Sequence, residues 1–201
     1  MKIGIVIPLK SRMVSNDWSA TVNNLRATLA SVNNQSSKSF SCVVVCHEAP
    51  NISSFENIAI EKDIQIPVPK LGQNPSINQL LYEEDRCKKI LFGIFILKKK
   101  HDDITHWFAL DADDLLHQDF IWSVESKLEY DAIVIKKGYI FYSDKKVFNW
   151  ENNFDQYCGS SAIIGSDLLG EHEAISKMDF RKTIYGYSGP QSQDRFTPNL
   201  S

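Results

Sequence analysis

Three carboxylates stand within four positions at Asp111-Ala112-Asp113-Asp114, directly after the apolar run Thr105-His106-Trp107-Phe108-Ala109-Leu110. Like charges this close repel one another, so the cluster costs stability unless a cation or a basic group answers it. A divalent metal is one such answer. Magnesium or manganese takes one or two carboxylates and completes its shell with water and substrate phosphate oxygens. The inert alternative is a helix N-terminus carrying acids that suit its dipole. A calcium EF-hand loop fits worse, because Leu115 and Leu116 stand where a further oxygen ligand and a glycine are needed. An aspartyl-nucleophile phosphatase would carry its Asp-x-Asp on the first strand, whereas here the motif follows residue 110.

An acidic loop of this kind works only at the mouth of a rigid element. Lys2 to Ile7 is a continuous β-branched apolar run, the pattern of a strand buried on both faces of a parallel sheet. Past the N-cap candidates Ser15-Asn16-Asp17, Val22, Leu25, Leu29 and Val32 recur at helical spacing, and Phe40 to Cys46 repeats the buried-strand pattern. Strand, helix, strand is the unit that builds a parallel sheet with a right-handed crossover, so the class is α/β. A short third strand is expected over Ile64 to Val68, interrupted by Pro67. A helix follows from Ser76 to about Lys99, with Ile77, Leu80, Leu81, Leu91 and Ile94 on its inner face. Thr105 to Leu110 is then a buried strand whose carboxyl end carries the acids, where ligands gather in open α/β sheets. Beyond it the pattern predicts a helix over Gln118 to Leu128 and strands near Ala132 to Lys136, Tyr139 to Tyr142 and Val147 to Trp150. A further strand over Gly159 to Ile164 and a helix from Ser166 to about Lys177 complete the expectation.

A chain of 201 residues buries one sizeable core and leaves no room for a second catalytic module, so a single domain over 1–201 is expected. With 43% hydrophobic and 23% charged residues it is an ordinary globular sequence, which excludes long disorder and collagen. Twenty-two basic against 25 acidic side chains give a net charge of −3, without the excess of a nucleic-acid binder. No nucleic-acid partner is expected. Cys42, Cys46, Cys87 and Cys158 form no Cys-x-x-Cys pair and read as free thiols. Met1 to Pro8 is too short for a signal peptide, and Ile90 to Leu97 falls far below the roughly 20 residues of a membrane helix. A cytoplasmic protein without a transmembrane segment is expected. Lysines 88, 89 and 98–100 flank that run, so peripheral contact with an anionic inner-membrane surface stands as the alternative to a core helix with solvated ends.

Together, Ile3-Gly4-Ile5-Val6-Ile7-Pro8, the helix ending Thr28-Leu29-Ala30-Ser31-Val32 with Gln35-Ser36 after it, the strand Cys42-Val43-Val44-Val45-Cys46 and the segment from Trp107 to Leu116 resemble a GT-A glycosyltransferase of the large inverting "family two" group. The resemblance spans most of the chain up to residue 120 and reaches Gly159-Ser160-Ser161 weakly. It implies a Rossmann-like nucleotide-diphospho-sugar transferase fold, mainly parallel, with a nucleotide-binding half over 1–115 and an acceptor-side half over 116–201. It also implies a nucleotide-sugar donor, the uridine diphosphate type favoured, and a saccharide or other hydroxyl acceptor. On this reading Asp111 and Asp113 would hold manganese or magnesium and meet the donor together with Ala112, while Asp114 supports the loop or the sugar. Pro8, Leu9 and Lys10 would line the base pocket. Glu48 would touch base or ribose, although His47-Glu48-Ala49-Pro50 replaces the family's Asp-rich turn. Arg12 would reach the diphosphate. Lys89 would take the place of a basic residue ahead of the acidic strand, with a solvated helix lysine as the alternative.

The implied reaction is a single displacement with inversion, in which a carboxylate opposite the metal takes the acceptor's proton. The resemblance places that base late in the domain and makes Asp194 the first choice, with Glu171, Glu173 and Asp179 as rivals. His172 is an extra ligand or an exposed helix histidine, and Trp150, Tyr157 and Tyr187 are aromatic candidates for stacking on sugar rings. Two other classes stay open. A nucleotidyltransferase would want a Gly-rich phosphate loop where Pro8-Leu9-Lys10-Ser11-Arg12 has no glycine, and a non-catalytic nucleotide-sugar-binding module would keep the fold without the base. With Asp194 so near residue 201, the chain is either a pared-down transferase or one part of a longer enzyme.

Overall fold

The structure is a computed structural model and describes residues 1–169 apart from 56, 63, 143 and 144. The apolar run at the start forms β1 (Lys2–Pro8), buried on both faces from Ile3 onward. Asp17 accepts from Ala20 N and starts α1 (Trp18–Asn33), which leads into the fully buried β2 (Phe40–Val45). After β3 (Ile58–Glu61), Asn74 caps α2 (Pro75–Lys100) by accepting from Ser76 N and Ile77 N, and Pro75 stands in the first turn, where its missing N–H costs nothing. β4 (Ile104–Ala109) and the short α3 (Phe120–Glu125) follow. The remaining described elements are β5 (Ala132–Val134), β6 (Gly138–Tyr142), β7 (Val147–Glu151) and β8 (Ala162–Gly165).

Six strands form one sheet in the order β3-β2-β1-β4-β8-β5, and β6 pairs with β7 in a separate ribbon. β3, β2, β1 and β4 run parallel, whereas β8 lies antiparallel between β4 and β5. The alternation of side chains along β1 and β2 divides the core in two. On one face Ile3, Ile5, Ile7, Cys42 and Val44 pack with Leu25, Leu29 and Val32 of α1 and with Ile121 and Val124 of α3. On the other, Val6, Val43 and Val45 pack with Ile90, Ile94 and Leu97 of α2 and with Trp107. The helix comes close there, since a Cβ at Gly93 would lie 2.4 Å from Val6 Cγ1. This is the expected mixed α/β architecture, a mostly parallel sheet flanked by helices.

Several boundaries differ from expectation. The third strand is Ile58–Glu61, paired with Cys42–Val45, not Ile64 to Val68. Pro67 has no N–H to give a ladder, and Ile64 instead packs its side chain into the second core. The predicted helix over Gln118 to Leu128 contracts to Phe120–Glu125, with turns after it. Ser166–Leu169 forms a 3₁₀ turn, and the rest of the helix expected to Lys177 lies outside the described residues. The apolar run between the lysine groups of α2 is core, because Ile90, Ile94 and Leu97 are buried against the sheet. Among the described residues no helix is long and apolar enough to cross a membrane.

Candidate active site

The strand order reverses between β1 and β4, since β2 and β3 lie on one side of β1 and the chain returns on the other side as β4. Loops leaving two such neighbours diverge and open a crevice at the carboxyl edge of the sheet. Val6 pairs with Ala109 in parallel register, and Leu110 N donates to Val6 O at 3.0 Å. Pro8-Leu9-Lys10 and Leu110-Asp111-Ala112-Asp113 therefore leave the sheet side by side. Between them lies a cleft of about 880 Å³, whose walls include Pro8, Lys10, Asp111, Ala112 and Asp113. Thr21 and Asn24 of α1, residues of α2 that include Glu83 and Arg86, and Asp155 and Gly159 from the later chain also line it.

Arg86 is the residue that sequence reasoning missed. Its Nε donates to Asp111 Oδ1 at 2.7 Å, so one of the clustered acids is answered by an internal cation. Burial alone would lower the guanidinium's pKa, but the charge of Asp111 and the hydrogen bond between them outweigh it and raise it. The opposite bias acts on Asp113. The residue keeps an exposed edge, yet loss of water in the cleft wall, followed by the charges of Asp114 and Asp111, pushes its carboxyl above the ordinary value. Ser160 Oγ accepts from Asp111 N at 2.8 Å, and Cys158 Sγ donates to Asp114 Oδ2 at 3.3 Å. Desolvation, then the neighbouring Asp114, lifts the Cys158 thiol to about 12, so it stays protonated. Gly159 packs close beside the motif, since a Cβ there would stand 3.0 Å from Asp111 Oδ2 and 3.1 Å from Arg86 Nη2 and those side chains would have to give by a few tenths of an ångström. The only sequence signal for Arg86 lies in the charged residues Asp85, Arg86 and Lys89, which interrupt the apolar pattern of α2.

The acidic loop is laced to α1 and the turn after it by polar side chains, Thr28 and Gln35 buried and Ser31 half-buried. Thr28 Oγ1 donates to Ala112 O at 3.0 Å, and Ser31 Oγ accepts from Leu116 N at 3.1 Å. Gln35 donates to His117 O at 2.8 Å and accepts from Ile121 N at 2.9 Å. The segment Thr28 to Ser36, part of the resemblance in the sequence, thus holds the motif's loop in place.

Not every predicted site residue meets the cleft. The Leu9 side chain is fully buried in the first core, so only its backbone is near the edge. Lys89 is also fully buried and is neither a solvated helix lysine nor a wall of the cleft: its Nζ donates to Leu9 O at 2.8 Å and to Asp85 Oδ2 at 2.6 Å. Desolvation, opposed by Asp85, lowers its pKa. It fixes the turn after β1 from beneath. Glu48 does the same from the side, accepting from Ser11 Oγ at 2.8 Å and from Arg12 N at 3.0 Å. Arg12 is exposed on the 3₁₀ turn Arg12–Val14 and is not a wall of the cleft. Asp194, Glu171, His172, Glu173, Asp179 and Tyr187 lie outside the described residues. A second cavity of about 380 Å³ opens at the opposite end of β4 near His106, Tyr130 and Ser166, and shares no residue with the acidic loop.

No protein-family model matches the chain. No curated protein matches it either. Among solved structures, Rv0371c from Mycobacterium tuberculosis H37Rv is similar at 11% identity and a TM-score of 0.51, over 94% of this chain and 85% of that one. S. aureus TarS 1-349 in complex with UDP aligns at 12% identity and a TM-score of 0.48, over 88% of this chain and 52% of that one. The same protein in complex with UDP-GlcNAc aligns at 13% identity and 0.45, over 84% and 46%. The chain thus spans about half the length of the TarS 1-349 chains it matches. At 11% identity the likeness to Rv0371c is one of fold alone.

Proposed function

We propose that the cleft binds a nucleotide-sugar donor and that the chain, as a GT-A enzyme, transfers the sugar to a hydroxyl acceptor with inversion. The observation that carries this reading is the convergence of the β1 loop, the acidic β4 loop and Arg86 on one cleft at the reversal of strand order. A donor carrying a diphosphate suits a site with both carboxylates and a cation, and the uridine diphosphate type is the first to test. A divalent metal would rest here on two carboxylates, since no group of three or more metal-ligating side chains comes together among the described residues. Asp113, whose pKa is raised beside two other carboxylates, and Asp111, with the oxygen that Arg86 Nε leaves, would hold it. When bound, manganese or magnesium offsets the charge that builds on a departing nucleoside diphosphate. Arg86 orients Asp111 and puts a fixed positive charge in the cleft wall. Lys10, 4.4 Å above the Tyr82 ring, and Pro8 form the wall along which the donor's base would lie. The proposed base is Asp194, taking the acceptor's proton.

A second reading rests on the Arg86–Asp111 pair. With a guanidinium already answering one carboxylate, the cleft would bind the donor without turnover. Thermal shift with a nucleotide-sugar panel, with manganese and with chelator, tests both, because a ligand that binds the native state raises its apparent stability. A manganese-dependent shift that Asp113→Ala abolishes, accompanied by sugar transfer or slow donor hydrolysis, is the expected result. A shift without turnover supports the binding module, and no shift with any nucleotide overturns both.

A further inference from the structure

Away from the cleft, β6 and β7 form a ribbon that pairs with no strand of the main sheet among the described residues. Tyr139 faces Trp150 and Phe141 faces Phe148, and alternation along each strand brings these four rings to one side. Their exposures are 64% for Tyr139, 52% for Phe141, 65% for Phe148 and 50% for Trp150. A contiguous apolar surface of this kind marks an interaction site, and a two-stranded ribbon alone is marginally stable. Exposed Lys136 and Lys137 stand at its root and exposed Lys145 and Lys146 at its tip. Lys136 is engaged with Asp155, so Lys137, Lys145 and Lys146 stand against the segment's acids Asp144 and Glu151, in a chain whose net charge is −3.

We propose that this ribbon docks on an anionic lipid surface, the aromatic side entering the interface and the lysines meeting the headgroups. The charge is complementary to such a surface, and aromatic rings with basic neighbours are what a bilayer interface accepts. Ring geometry argues against a saccharide platform. Tyr139 and Trp150 meet at 69° and Phe141 and Phe148 at 37°, so the four rings form no single flat face on which an extended saccharide could lie. A lipid interface takes rings in any orientation. The ribbon is also tied to the cleft, because Lys136 Nζ donates to Asp155 Oδ2 at 2.7 Å and Asp155 is part of the cleft wall. Phe154 packs against Gly138, where a Cβ would come within 2.6 Å of the ring. Docking would therefore hold the cleft beside the bilayer.

Flotation of the full chain with phosphatidylcholine vesicles, with and without phosphatidylglycerol, tests this. Binding to the phosphatidylglycerol vesicles, weakened by salt, is expected. Phe148→Ser with Trp150→Ser should weaken it by at least about tenfold. Lys137→Glu with Lys145→Glu, which leaves the rings in place, should weaken it by about 25-fold or more at an unchanged thermal midpoint. The proposal is overturned if the full chain ignores phosphatidylglycerol or if the lysine variant binds as the wild type does. It is also overturned if the aromatic substitutions dissolve a dimer seen by light scattering, or abolish oligosaccharide binding, while vesicle binding persists.

Discussion

The carboxyls of Asp113 and Glu48 are shifted in opposite directions from their ordinary values, and each direction has a consequence for stability. Desolvation in the cleft wall, then Asp114 and Asp111, raises Asp113 above its usual 3.8, so the native chain keeps a proton that the unfolded chain has released. Its contribution to stability therefore falls as pH rises from 3.8 through the raised value. Asp113→Asn removes that penalty. Thermal melts across pH should show the variant more stable than wild type at neutral pH, with the gap closing below the unfolded value, while manganese no longer raises the midpoint. At Glu48 burial pushes the carboxyl up, but the bonds from Arg12 N and Ser11 Oγ win and hold it below 4.5. That contribution is present above 4.5 and lost as pH falls through the lowered native value. Denaturant midpoints of Glu48→Gln should therefore lie below those of wild type at neutral pH and converge with them in acid. The chemistry of the acidic loop was legible in the sequence because its three acids are contiguous. Arg86 was not, because its partner lies 25 positions away and only the packing of α2 beside β4 brings them together.

At the scale of elements, the strand carrying the acids is held at two levels. β1 supplies the ladder beneath it, and Thr28 and Ser31 of α1, with Gln35 just past the helix end, grip the loop above it. Gln35 is 2% exposed and satisfies both His117 O and Ile121 N. Gln35→Leu would leave the buried Ile121 N–H without its partner, at about 1–3 kcal/mol, while His117 O keeps the bond from Phe120 N. A lower denaturant midpoint is expected, together with weaker donor binding as the loop loosens; donor affinity equal to wild type would separate the grip from the site. Continuous apolar runs made β1, β2 and β4 readable. β3 is short and only half-buried, and its partner β2 defines it more than its own composition does.

Over the whole molecule, β1 is shared by two cores, one under α1 and α3 and one under α2. Both faces must pack for the cleft edge to exist, so folding should be one cooperative event. Leu29→Ala on one face and Ile94→Ala on the other should each lower a single transition by about 2–5 kcal/mol, with circular dichroism and fluorescence coincident. Separate transitions for the two substitutions would show independent halves.

The sequence by itself determined the α/β class, the main strands and helices, and the place of the acids at a strand's carboxyl end. These depend on periodicity and on neighbours along the chain, which local patterning carries. The tertiary structure decided what the charged residues do. Lys89 and Glu48 brace the turn after β1, Arg86 answers Asp111, and Gly159 leaves room for both. A charged side chain's role depends on which water it loses and which opposite charge it meets, and both follow only when helix faces and strand edges close on one another.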